Sequence, residues 1–199
     1  MYGRLTFACL VGLFIGTATS YGQEHLGVHW QALANAASPW LLGAFVAGAL
    51  FARSSVAVWA GLLACGCEVA GYYVVTPLRG YPITETEIVF WGACAVIGGP
   101  LFGWAGWAWQ HAGPALRPIG AAALPATFLA EAMGTYAMRL HYRSAAVLFF
   151  VIGLVLVAVV AARLPQRWTL LMPVAGVTLA GMFVYGWVLS GATQATFGA

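Results

Sequence analysis

Glu68 and Glu131 each stand alone in a long apolar run and share a local pattern, Glu-x-x-Gly-x-Tyr, completed by Gly71 and Tyr73 after the first and by Gly134 and Tyr136 after the second. An ionisable side chain at the centre of a bilayer costs at least about 2.5 kcal/mol, so such a residue has a partner or a task. A carboxyl in that setting can hold a proton or a cation, and two at one level can share one. On an α-helix the tyrosine five residues on projects about 140° round from the glutamate, which suits the rim of a cavity. The glycine three residues on shares the glutamate's face and lets a neighbouring helix or a ligand approach.

A second group of polar residues flanks the apolar runs. Arg139, His141 and Arg143 follow the second glutamate, and Gln23, Glu24, His25 and His29 form another set. Arg139 and His141 are expected to guard the mouth of a cavity at the Glu131 level. His25 and His29 are four apart and share a helix face, a spacing that with Glu24 can hold a metal ion. An interfacial amphipathic helix with solvated histidines accounts for the same residues. No nucleophile-and-base motif or nucleotide loop is present, and the histidines all fall near the ends of apolar runs, which leaves no buried pair for haem. The chain is therefore not expected to be an enzyme or to carry a cofactor. Cys9, Cys65, Cys67 and Cys94 lie within apolar runs and read as small hydrophobes rather than as a disulfide framework.

The elements that must position these groups are membrane helices. The chain is 62% hydrophobic and only 7% charged, with a mean hydropathy of +0.88, where a soluble domain carries about 25% charged residues. All positive side-chain charge comes from arginine and all negative charge from glutamate. The net charge of +3 is small and scattered, which argues against nucleic acid as a partner. With about 20 apolar residues per span, seven spans are predicted, at about 5–21, 38–53, 55–76, 88–109, 118–138, 144–162 and 168–190. The second is short and is expected to open with Ser38 as N-cap and Pro39 as first helical residue, and it can borrow length from the amphipathic stretch 26–36. The expected class is an all-α integral membrane bundle, a single domain over residues 1–199. Span 1 also reads as a signal peptide ending near Ala18–Ser20, whose cleavage would leave six spans.

Arginine placement sets orientation. With the N-terminus inside and the C-terminus outside, Arg4, Arg53, Arg117, Arg163 and Arg167 are cytoplasmic, whereas Arg79, Arg139 and Arg143 are external together with Glu24, Glu85 and Glu87. Trp30, Trp40, Trp91 and Trp187 then mark the outer boundary, and Trp59, Trp107, Trp109 and Trp168 the inner one. Glu68 lies 13 residues past Ser55 and Glu131 lies 13 past Pro118. At ~1.5 Å per residue both are roughly 20 Å from the inner side. Aligning the two segments also pairs Ala60 with Ala123, which points to a duplicated hairpin. In span 4, Gly99 and Gly103 form a small-xxx-small step suited to a close helix crossing, and Pro100 loosens the helix between them.

From Gly16 to Gly106 the chain resembles an uncharacterised family of small multi-span membrane proteins common in actinobacteria. The matching pieces are Gln23, the run Trp30 to Trp40 with its Asn35-x-x-Ser38-Pro39-Trp40 motif, Ala44 to Gly48, Gly71-Tyr72-Tyr73, Phe90-Trp91, and Gly98 to Gly106. That resemblance implies a multi-pass protein of the bacterial inner membrane and brings no activity. The Gly99-Pro100-x-x-Gly103 helix is also similar to one in the substrate-binding subunits of energy-coupling-factor transporters, although the acidic residue often found after that motif is missing here. Together these readings favour a membrane protein that binds or transports a small solute or cation through an outward-facing cavity. In that reading Glu68 and Glu131 set the charge and Tyr73 and Tyr136 line the rim. The alternative is a scaffold or regulatory subunit whose partner is another membrane protein or a second copy of the chain.

Overall fold

The computed structural model describes residues 2–27, 30–34 and 36–197, with side chains described between 3 and 186. Among the described residues the chain is all-helical, with seven α-helices: α1 (Tyr2–His25), α2 (Ala37–Ala49), α3 (Ser54–Leu78), α4 (Glu85–His111), α5 (Arg117–Ala130), α6 (Arg143–Ala161) and α7 (Leu171–Phe197). α5 runs on into a π-helical segment, Glu131–Arg139. Short 3-10 turns occupy Gln31–Ala34 and Arg167–Leu170.

By length and composition α1, α3, α4, α6 and α7 can each cross a membrane, so the chain is a multi-pass membrane protein. Seven full spans were expected. α2, with 13 residues, rises only about 20 Å, less than the ~30 Å hydrocarbon core. α5 is α-helical for 14 residues before its winding changes. Among the described residues of the stretch before it, only Gln31–Ala34 is helical, as a 3-10 turn separate from α2. It also starts earlier than expected. Ala36 is the N-cap and makes no side-chain bond, so Ser38 and Pro39 lie inside the first turn, with Ser38 fully buried.

The chain divides into two compact units, Met1–Gly120 and Ala121–Ala199. In the first, α1 to α4 cross at glycines. A β-carbon on Gly12 or Gly16 of α1 would strike the α3 backbone at Ala64 or Glu68, and one on Gly71 of α3 would meet the Leu13 carbonyl. Gly61 of α3 faces Gly99 and Gly103 of α4, while Gly48 and Phe45 of α2 meet Gly103 and Gly106. The small-xxx-small step of α4 thus brings three backbones into contact, which in lipid must replace the hydrophobic drive available in water. The helix continues unbroken through Pro100.

Side chains from the neighbouring helices close off the short α2. Its last carbonyls have no intrahelical partner. Arg4 Nη1 donates to the Leu50 carbonyl at 2.6 Å and Trp107 Nε1 to that of Ala52 at 2.9 Å, with His111 Nε2 at 3.1 Å from the Ala49 carbonyl. α3 ends in a Schellman motif, in which Tyr81 N–H bonds the Thr76 carbonyl (3.3 Å) and Gly80 N–H that of Pro77 (2.9 Å). Gly80, at φ +84°, supplies the left-handed residue this requires. α4 opens on a capping box, the Thr84 hydroxyl accepting from Glu87 N–H and the Glu87 carboxylate accepting from Thr84 N–H.

In the second unit, Phe149 of α6 is fully buried and packs on Phe128 of α5 and on Tyr136 of the π segment, with ring centroids 5.7 and 4.8 Å apart. Gly153 seats Leu129, and Gly134 and Gly181 bring α7 against the same segment.

Candidate functional site

Glu68 is completely buried in the first unit. Neither carboxyl oxygen has a hydrogen-bond partner. The Cys65 thiol, three residues earlier on the same face, lies within electrostatic reach. Room for the carboxyl exists because position 43 is glycine: a β-carbon there would fall onto Glu68 Oε1, with the Ile15 side chain 3.2 Å away. A charged carboxylate without a partner in such surroundings costs several kcal/mol, so the site calls for a proton or a cation.

Glu68 and Tyr72 are four residues apart and lie on one face of α3, just over one turn or about 6 Å along the axis. Gly43 and Trp40, three residues apart, likewise share one face of α2. Trp40 therefore meets Tyr72 at a ring separation of 5.8 Å, directly above the pair formed by Gly43 and Glu68. Trp91 of α4 joins Trp40 at 5.7 Å, and Tyr73 stands edge-on to Tyr72 at 4.9 Å and 83°. The Tyr72 hydroxyl donates to Gln23 Oε1 of α1 at 2.8 Å. These side chains surround a cavity of about 210 Å³ whose wall also includes Glu87.

A second cavity, of about 290 Å³, shares Gln23, Tyr72 and Pro82 with the first and extends to Ser20, Thr76 and Arg79. Arg79 is held there on every side. It donates to the Ser20 carbonyl and, at 3.0 Å, to the Ser20 hydroxyl, and it forms an ion pair with Glu24. Its guanidinium lies 4.4 Å from the Tyr21 ring centroid and 5.2 Å from that of Tyr81. An apolar crevice of about 40 Å³ shares Trp40 and Trp91 with the first cavity and is bordered also by Val69 and Cys65, neighbours of Glu68 on α3.

The expected site residues are distributed between the two units. Glu68 and Tyr73 belong to the first, and Tyr73 lines the cavity beside Tyr72. Glu131, Tyr136, Arg139 and His141 belong to the second. Glu131 is buried but not isolated, and Tyr136 is buried against Phe149 within electrostatic reach of Glu131. Their shared pattern is realised in two ways. α3 keeps α-helical winding, which leaves Tyr73 far round from Glu68. The π segment closes i to i+5 bonds, such as Leu140 N–H to the Thr135 carbonyl at 2.9 Å, so five residues make slightly more than one turn and Tyr136 comes round to the glutamate's side. The two pattern glycines serve helix contacts, Gly71 with Leu13 and Gly134 with Met182.

Arg139 donates to the Gly186 carbonyl at 2.9 Å, and His141, at φ +56°, has its Nδ1 3.2 Å from the Ala137 carbonyl. Arg139 thus ties the end of the π segment to α7, and His141 sits against the last turn of that segment. Glu24 is committed to Arg79, His25 has its Nδ1 3.0 Å from the Tyr21 carbonyl, and His29 lies outside the described residues. Among the described residues no group of three ligating side chains converges. Of the cysteines, Cys65 is buried, Cys9 and Cys67 are half-buried, and Cys94 is exposed rather than buried. Tyr72, Trp40, Trp91 and Glu87 were not among the expected site residues. The signal available for Tyr72 was its position four residues beyond Glu68.

Comparison with curated proteins and with solved structures gives no match. The model of a family of unknown function, DUF6518, matches residues 1–192, and the chain belongs to that family.

Proposed function

We propose that this is a solute-binding, and by extension solute-transporting, protein of the bacterial inner membrane. Its binding site is the pair of adjoining cavities, which share Gln23, Tyr72 and Pro82, at the end of the first unit where α1 and α3 finish and α2 and α4 begin. One observation carries the reading: side chains from all four helices converge on that opening, and a completely buried carboxyl with no hydrogen-bond partner lies one helical turn beneath its aromatic wall. A concave site with aromatic walls and a few converging polar groups is the usual form of a small-molecule site.

Arginine placement sets which side the opening faces. The opposite end of this unit carries Arg4, Arg53 and Arg117, and the cavity end carries Arg79 with Glu24, Glu85 and Glu87. With the arginine-rich end in the cytoplasm, the cavity opens outward and Glu68 is its inner station, taking up a proton or cation as solute enters or leaves.

Native mass spectrometry of protein gently extracted from its own membrane tests this. The expected result is a small-molecule adduct in one-to-one ratio, lost in Tyr72→Ala and retained in a variant altered at the arginine-rich end, such as Gly113→Ala. A bare chain, or a complex with another protein and no adduct, would replace solute binding with the scaffold reading.

A further inference from the structure

The two adjoining cavities are built from the same kinds of groups but differ in one respect. In the larger cavity, Arg79 lies between the Tyr21 and Tyr81 rings with Glu24 as counter-charge. The smaller cavity has the rings and the carboxylate, but among its described lining residues there is no cation of the protein's own. Trp40 is tilted 57° to Tyr72, and Tyr73 stands at 83° to Tyr72, so three ring faces of different direction meet at one corner. Glu87 is within electrostatic reach of Tyr73. Its Oε2 accepts the Thr84 capping bonds, which fixes the carboxylate on the cavity wall and leaves Oε1 outside those bonds.

Resting on the solute-binding reading above, we propose that the smaller cavity is a cage for a small alkylated ammonium ion, with Trp40, Tyr72 and Tyr73 presenting ring faces and Glu87 supplying the counter-charge. Aromatic faces attract a diffuse, weakly hydrated cation through their quadrupoles, and tryptophan does so best. A metal ion would need several converging oxygens, and the lining does not supply them. Gln23 Oε1 accepts from the Tyr72 hydroxyl, which holds the Tyr72 ring in place on the cavity wall. The cavity of about 210 Å³ corresponds to about seven waters at roughly 30 Å³ each, enough for a trimethylammonium group with a short tail.

Choline and its uncharged carbon analogue 3,3-dimethylbutan-1-ol have nearly the same shape, so comparing them isolates the charge. Titrating each into the full-length protein in maltoside micelles, with tryptophan fluorescence and calorimetry as readouts, gives the test. Choline is expected to bind saturably and at least about tenfold more tightly than the alcohol, with an affinity that falls as salt rises. Glu87→Gln is expected to weaken choline about three- to tenfold and to remove most of the salt dependence. A glutamine at this position retains the capping box, so the variant should fold even where Trp40→Leu, expected to abolish binding, does not. Equal affinity for the two probes, indifference of choline to Glu87→Gln, or no choline binding would each overturn the cage.

Bilayers of phosphatidylcholine and of phosphatidylglycerol distinguish the two sources of such a group. A headgroup in the cage would suppress the choline response only in the former, and a free solute would act in both. If choline fails while extracted protein still carries an adduct lost in Tyr72→Ala, the cage assignment falls and solute binding stands. If both fail, both fall.

Discussion

Glu68 carries a cost that its surroundings, with only the weak donor of the Cys65 thiol in reach, relieve little. A buried polar group without a partner loses about 1–3 kcal/mol relative to an apolar side chain of the same shape. Glu68→Met is therefore expected to raise the apparent melting temperature in detergent and to abolish any pH dependence of ligand binding that Glu68 provides. A fall in melting temperature, as when a buried ion pair is broken, would show that the carboxyl has a structural partner instead. Gly43 gives an independent check. The β-carbon of Gly43→Ala would strike Glu68 Oε1, so that variant should lose about 1–3 kcal/mol. In a Glu68→Ala background the obstacle is gone, and the two changes should couple by about 1 kcal/mol or more in a double-mutant cycle. Glu68 could be singled out from sequence because an isolated charge in an apolar run is conspicuous. Trp40 could not, because tryptophans near helix ends read as interfacial anchors, and Tyr72 was marked only by its spacing from Glu68. Their meeting depends on how closely α2 and α3 approach, and Gly43 sets that distance.

At the scale of elements, helix existence was legible and helix winding was not. The α4 step of Gly99 and Gly103 was recognisable as a crossing motif, and the structure places it against Gly61 and Gly48. Gly103→Ala puts a methyl onto the Ala57 carbonyl and the Gly61 backbone, groups that can yield only by separating the helices. It should lower stability by about 1–3 kcal/mol, read as a shorter half-life at elevated temperature in detergent. Gly134→Ala, whose methyl would meet the flexible Met182 side chain 3.3 Å away, should cost less than about 1 kcal/mol, and Gly113→Ala, with open space around it, should have no measurable effect. Equal losses in all three would refute the crossing as the source. The π winding of Glu131–Arg139 has no counterpart in composition, since the parallel segment around Glu68 spells the same pattern and stays α-helical. Packing of Tyr136 on Phe149 goes with the change. A sequence pattern specifies which residues repeat, whereas tertiary contacts decide the face on which they emerge.

For the whole molecule, the question that composition answers least directly is which end faces which side. Large apolar side chains stay exposed along the long helices, among them Phe14 at 74%, Val89 at 70% and Phe183 at 77%, as expected where lipid rather than water is the neighbour. The hydrophobic pattern is symmetric about the bilayer midplane, so orientation rests on the unequal division of arginine between the two ends. Single cysteines make this testable at positions that no contact constrains. Glu85 and Gly113 are both exposed, the first at the cavity end of the first unit and the second at the arginine-rich end. In intact cells, in a background lacking the native cysteines, a membrane-impermeant maleimide should label Glu85→Cys and leave Gly113→Cys untouched until the membrane is opened. The reverse pattern would place the aromatic cavity in the cytoplasm and turn an uptake site into one that samples internal solutes. Labelling of both sites before the membrane is opened would mean the first unit does not present these two ends to opposite sides, and the helix count by length would need to be redrawn.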